Sequence, residues 1–201
     1  MRKRTKRKLL GVSALAMVVF GAILTGNALA KAKAQAETQK PIYEPVKMFY
    51  HIADKAISNV PKGDTSFKSY MDYRCITNTR SPQYKLQGDC WTDSDGLRRC
   101  GDDYVIAVGS YYADHIGDRL EIRLDNGDEF TAVVGDFKAD CHTDSTHRYY
   151  PMKDGKKNVI EFIVDTRSLD KTAKRMGDIS YISGFDGDVT DVEKIEKNHE
   201  V

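Results

Sequence analysis

The sequence predicts a mainly β protein, a small β-barrel with helices at its periphery. Three observations lead there. From Phe67 onward the apolar residues recur with period two and turn residues separate the runs, as in Leu120-Glu-Ile-Arg-Leu124. Asp125-Asn126-Gly127 is a hairpin signal, with Phe130-Thr-Ala-Val-Val134 returning as the partner strand. Hydrophobic content of 40% with one Trp suits one ordinary core in the roughly 170 residues that follow an N-terminal segment.

The N-terminal segment is an address. Arg2, Lys3, Arg4, Lys6, Arg7 and Lys8 precede the uncharged run Leu9 to Leu24, which ends in Thr25-Gly26-Asn27 and a small-x-small Ala28-Leu29-Ala30. That order of charged, apolar and small residues predicts a signal peptide over 1–30, or an N-terminal membrane anchor if it is uncleaved. Either outcome places the rest outside the cytoplasm, in the cell envelope or beyond. The formal charge of +1 is then a sum of unlike parts, because residues 31–201 hold 25 Lys+Arg against 30 Asp+Glu, a net of −5. An acidic body argues against nucleic acid as a partner, since phosphate binding needs clustered Lys and Arg. A membrane enters only through the N-terminal segment.

Residues 31–62 read as a tether and an amphipathic helix. Lys31 to Lys40 is small and polar, whereas Phe49, Ile52, Ala53, Ala56, Ile57 and Val60 form one helical stripe between Pro45 and Pro61. Residues 63–201 form the barrel-like domain. Its strands are expected at Tyr104 to Val108, Leu120 to Leu124, Phe130 to Val134, Val159 to Val164, Ile179 to Ile182 and Val189 to Ile195. A short helix is expected from Ser168, as N-cap, to Met176, with Gly177 as its stop. Asp118 and Asp178, each after a Gly, read as turn aspartates.

An even number of cysteines in an exported chain predicts two disulfides. Cys90 and Cys100 enclose a short polar loop and are the easiest pair to close, which leaves Cys75 with Cys141. No C-x-x-C spacing supports zinc, and Asp93-Ser-Asp95-Gly96 lacks the later ligands of a calcium loop. Asp140, His142 and Asp144 alternate as metal ligands would, but they read as solvated loop residues. No metal and no cofactor is expected.

The densest polar constellation is Gly135 to Arg148, which cannot be buried without pairing and so lines a surface or groove. Asp136 follows a strand, and Glu161 lies on another between Ile160 and Phe162. Carboxylates so placed suit glycan cleavage, which needs an acid at the glycosidic oxygen. Tyr111-Tyr112 and Tyr149-Tyr150 can each give one ring to the core and one to a groove. Tyr111, Tyr112, Tyr149 and His142 are the candidate substrate contacts.

Val105-Ile106-Ala107-Val108-Gly109, Ile116-Gly117-Asp118-Arg119-Leu120-Glu121-Ile122, the Asn126-Gly127 hairpin, Thr131 to Asp136 and Val159-Ile160-Glu161-Phe162 carry a resemblance. Over about residues 105–164 the chain resembles double-psi β-barrel domains of bacterial cell-wall proteins, namely the three-aspartate (3D) domain and the barrel of the lytic murein transglycosylase A family. The resemblance implies a six-stranded double-psi barrel and a peptidoglycan or other cell-wall polymer as partner. It implies Asp136 as general acid and base in a lytic transglycosylase, with Glu161 or Asp140 in support. Where the family carries Asp-Thr-Gly-Gly, this chain reads Asp136-Phe137-Lys138-Ala139-Asp140, and the family's later Asp is Glu161. A non-catalytic module binding cell-wall polymer or a protein is the alternative.

Overall fold

The protein is described from a computed structural model, which covers residues 50–51 and 59–197. The segments read as signal or anchor and as tether lie outside the described residues, as does most of the stretch read as an amphipathic helix. Within that stretch, however, Tyr50–His51 is a strand, β1, paired antiparallel with Lys197 and Glu196. At these two residues strand pairing takes the place of the helix expected there.

The body is mainly β. Its strands are β2 (Ser69–Asp72), β3 (Trp91–Thr92), β4 (Arg98–Cys100), β5 (Asp103–Val108), β6 (Arg119–Leu124), β7 (Glu129–Phe137), β8 (Tyr150–Pro151), β9 (Lys157–Asn158), β10 (Ile160–Val164) and β11 (Val189–Lys197). Nine of the strands form one mixed sheet in the order β1-β11-β6-β7-β5-β10-β2, with the β3–β4 hairpin beside β5. Pairing is parallel for β5 with β7 and for β10 with β2, and antiparallel elsewhere. Among the described residues the path of strand pairs does not close. Just before β2, though, Thr65 meets the start of β11, with Thr65 Oγ1 donating to the Val189 carbonyl at 2.9 Å.

The alternation that identified β6 is one-sided, with Leu120, Ile122 and Leu124 buried and the residues between them half-exposed. β5 differs, because both of its faces are covered. Ile106 and Val108 join the main core with Ala132, Val134, Phe162 and Val192, while Val105 joins a second layer with Val133 and Ile163. That is why its sequence is a continuous apolar run. In the main core Tyr104, Phe130, Phe162 and Phe185 pack mostly edge to face with ring centroids 5.0 to 6.0 Å apart.

The β6–β7 hairpin turns through Gly127 at φ 92, and Asn126 keeps a negative φ, so one left-handed residue suffices. Asn126 Oδ1 accepts from the Asp128 amide at 2.9 Å. Helix α1 (Pro82–Gly88) begins on Ser81 as N-cap, and its Leu86 packs on the second layer. Helix α2 is Lys171–Met176. Its N-cap is Asp170 rather than the expected Ser168, because the Asp170 carboxylate reaches the amides of both Thr172 and Ala173, at 2.8 and 2.9 Å. Gly177 stops it at φ 72, as expected. Ile179–Tyr181, expected as strand, is a 3-10 turn capped by Asp178.

Lys68 is fully buried just before β2. Its ammonium donates to the carbonyls of Ser66, Phe185 and Gly187 at 3.0, 2.8 and 2.6 Å, tying this segment to the chain that leads into β11. Burial pushes its pKa down to about 8, against the pull of Asp178.

Candidate functional site

β7 carries one extra residue where it pairs with β5. Ile106 faces Val134 and Ala107 faces Asp136, so Gly135 is a bulge. The residue has to be Gly, because a Cβ there would lie 2.3 Å from Val105 Cγ1 and 2.9 Å from Ile163 Cδ1. Val134 and Phe137 both turn toward the main core, and Asp136 turns to the other face, where α1 lies.

Ala107 is opposite Asp136 on one side and opposite Glu161 on the other. Paired residues share a face, so the two carboxylates flank the Ala107 methyl on one side of the sheet, with Cα atoms roughly 10 Å apart across two strand spacings. Asp136 Oδ1 accepts from the Phe137 amide at 2.9 Å and from Gln83 Nε2 of α1 at 3.4 Å. Both bonds end on Oδ1, which leaves Oδ2 open to a further donor. Glu161 is more enclosed. Its Oε2 is 2.7 Å from Lys138 Nζ, and its Oε1 accepts from Ser69 Oγ at 3.0 Å. Ser69 Oγ in turn accepts from Asn158 Nδ2 at 2.6 Å. Lys138 also lies 5.5 Å from the centroid of the exposed Tyr150 ring.

Asp140 is not on this row. It opens a 3-10 turn, Asp140–His142, accepts from Ser110 Oγ at 2.7 Å and faces His147 Nδ1 at 3.5 Å. His142 is exposed in the same turn. Asp144 is spent on folding the loop, since it accepts from the amides of Thr146, Arg148 and Tyr149. Asp140, His142 and Asp144 do not converge. Among the described residues the one group close enough to share an ion is Asp114, His115 and Asp118. There Asp118 is a turn residue, as expected, accepting from the Asp114 and His115 amides at 3.0 Å each, and Lys194 Nζ already sits 2.8 Å from it.

The tyrosine pairs divide as expected, although residues 110–112 form a turn instead of a strand. Tyr111 is exposed and Tyr112 is core, only 5% exposed, which removes its ring from any sugar-stacking surface. Tyr149 packs against the main core, and Tyr150 is the outer ring of its pair. Cys90 and Cys100 form a disulfide over the second layer. The expected Cys75–Cys141 bridge is absent. Each of those cysteines is a free thiol in its own exposed 3-10 turn.

Lys138, Ser69 and Gln83 are not among the site residues expected from the sequence. Lys138 carried a signal, for it alternates with Asp136 and so shares its face. Ser69 and Gln83 carried none, because their place depends on the β2–β10 register and on the docking of α1. No family model, no curated protein and no solved structure matches the chain.

Proposed function

We propose that this chain is an exported cell-envelope protein that cleaves the glycan strands of peptidoglycan as a lytic transglycosylase, with Asp136 as general acid and then base. The observation that carries this reading is the row Asp136–Ala107–Glu161, which aims two carboxylates to one side of the sheet with Asp136 Oδ2 open. The Asp136 carboxyl gives its proton to the glycosidic oxygen as the C1–O bond breaks. The carboxylate so formed takes the proton of the same sugar's 6-hydroxyl, whose oxygen bonds to C1. The product is a 1,6-anhydro sugar, and no water is consumed. Glu161, joined to Lys138 and Ser69, serves as a fixed partner charge and not as a second acid. A six-stranded double-psi barrel built from β2, β5, β6, β7, β10 and β11 is the matching fold. Its support is the two parallel pairings and the Thr65–Val189 bond between the ends of the strand path.

A non-catalytic module that binds cell-wall polymer is the second reading. It is favoured by the bulky Phe137 and Lys138 after Asp136, where a sugar chain would need close approach to backbone, and by the closure of Glu161 on Lys138.

Incubation of the full chain with purified sacculi separates the two. Release of 1,6-anhydro products that is lost in Asp136→Asn supports the enzyme. The variant keeps Oδ1 as an acceptor and so keeps the local bonds. Sedimentation with sacculi without release by the unaltered chain overturns the enzyme and supports the binding module.

A further inference from the structure

The loop that follows the 3-10 turn Asp140–His142 is brought onto the end of β5 by two local features. His147 takes φ 57, a left-handed conformation that a non-glycine residue seldom adopts. Its carbonyl oxygen passes so close to Gly109 that a Cβ there would be 1.9 Å away. Only glycine at 109 lets the two segments meet, and their meeting sets Arg148 beside the turn that holds Tyr111 and Tyr112.

Arg148 is half-buried, with its guanidinium carbon 4.4 Å from the Tyr111 ring centroid. Among the described residues its side chain has no carboxylate within ion-pair distance and donates no hydrogen bond, and its Nε is buried without a partner. Tyr112 meets the Tyr111 ring edge-on at 5.4 Å, is 5% exposed, and has a buried hydroxyl that also has no partner. Burial holds that hydroxyl's pKa well above the ordinary phenol value, and the charge of Arg148 opposes the shift. Asp144, whose charge also reaches Tyr112, is already occupied by three backbone amides and the Thr146 hydroxyl.

An unmade bond is costly for a buried polar group, so two unpaired groups that both pack on the Tyr111 ring point to an absent acceptor. A guanidinium has only donors, and a phenol beside it adds one more. Their complement is an oxyanion of planar, two-oxygen geometry.

We propose that Arg148, stacked on Tyr111 and backed by the Tyr112 hydroxyl, is a binding site for a carboxylate of a cell-wall ligand. The ligand meets the terminal nitrogens of Arg148 first, and the hydroxyl completes the site as the stacked side chain turns toward it. The carboxylate belongs either to an acidic amino sugar or to a peptide C-terminus, both of which are chemically available in a cell wall. The choice of a cell-wall carboxylate rests on the cell-envelope reading proposed above, whereas the site itself does not depend on Asp136 being catalytic.

The test is a titration of the full chain, read by calorimetry and by the Nε–Hε NMR signals of labelled arginine. The probes are N-acetylmuramate, D-alanyl-D-alanine, inorganic phosphate and the neutral N-acetylglucosamine. One of the two carboxylates is expected to bind and to shift the Arg148 signal, and the probe that does so identifies the source. Arg148→Gln weakens that binding by about tenfold or more. Tyr112→Phe weakens it several-fold and raises the melting temperature, because it removes an unpaired buried hydroxyl. A variant that merely damaged the fold would lower it. The proposal is overturned if neither carboxylate binds by about 10 mM, if phosphate or N-acetylglucosamine binds as well as the carboxylates, or if Arg148→Gln leaves the affinity unchanged.

Discussion

Lys138 Nζ stands 2.7 Å from Glu161 Oε2, joining the residue after β7 to the start of β10 past the strand that separates them. Glu161 keeps 14% of its side-chain surface and Lys138 22%, so the pair is partly shielded from water. In that setting the loss of one partner costs more than the loss of both. Lys138→Met is expected to lower stability by about 1 to 2 kcal/mol, and Lys138→Met with Glu161→Gln by less. Urea unfolding of both variants and of Glu161→Gln alone gives the coupling. A double variant as unstable as the sum of the single ones would show that the contact contributes nothing.

Asp72 gives a prediction with a defined sign in acid. Its carboxylate is held well below the usual range by the Arg74 guanidinium first, and then by the Thr166 hydroxyl and amide and the Arg74 amide. A carboxyl whose folded pKa is depressed adds stability above its unfolded pKa of about 4, and loses it as the pH falls toward the folded value. Asp72→Asn is therefore expected to cost about 2 kcal/mol at pH 7 and progressively less below pH 4. Chemical unfolding of the two proteins at pH 7, 5 and 3 checks this. A gap that stays constant across the series would refute it.

Lys68 is the converse case, in which burial disfavours the charged form, and yet stability again rises with pH. Its folded pKa of about 8 lies under the ordinary lysine value of 10.5, so between those values the folded protein holds fewer protons than the unfolded chain. Stability then rises with pH across that window. Lys68→Met removes this dependence and leaves three carbonyls unserved, at a cost of about 2 to 4 kcal/mol near pH 7. Unfolding free energies at pH 7.5 and 10 should show the gap between unaltered protein and variant widening with pH. A gap that narrows would mean that the ammonium is favoured where it lies.

The cysteines provide a direct chemical test. Alkylation of the native protein without reductant is expected to label Cys75 and Cys141 and to leave Cys90 and Cys100 unmodified. Reduction of the Cys90–Cys100 bridge releases a loop of about ten residues and is expected to cost about 2 to 3 kcal/mol. Peptide mass mapping reads the first and thermal unfolding the second. Recovery of a Cys75–Cys141 linked peptide would contradict the free thiols.

The strands were legible because burial writes its period into the chain. β6 is half-covered and alternates, β5 is covered on both faces and is continuously apolar, and both patterns were readable without coordinates. The helix near 171 was legible at its glycine end and misplaced at its start, since Ser168 and Asp170 are both good caps and only backbone geometry selects between them. Lys68 had no signature at all. One lysine between Phe67 and Ser69 looks like a surface residue, and its burial depends on carbonyls from about 120 residues away. Asp136 stood out by the strand it follows and by the family resemblance, and Glu161 by the apolar residues on either side of it. That they share a face was not readable, because it depends on one bulge in a strand that otherwise reads as regular.

That bulge makes strand length, and not only composition, a determinant of where the acid goes. With strict alternation, Asp136 would follow Ala132 and Val134 into the main core, where an ionised carboxylate has no place. Gly135 acts as a spacer that resets the count by one. A chain with a larger residue in place of that glycine would keep every side chain of the candidate site and still be hindered from assembling it, since the added Cβ would press on Val105 and Ile163 and, without the bulge, Asp136 would have to enter the core. The smallest residue in the segment, with no side chain to offer a ligand, therefore decides whether there is a site.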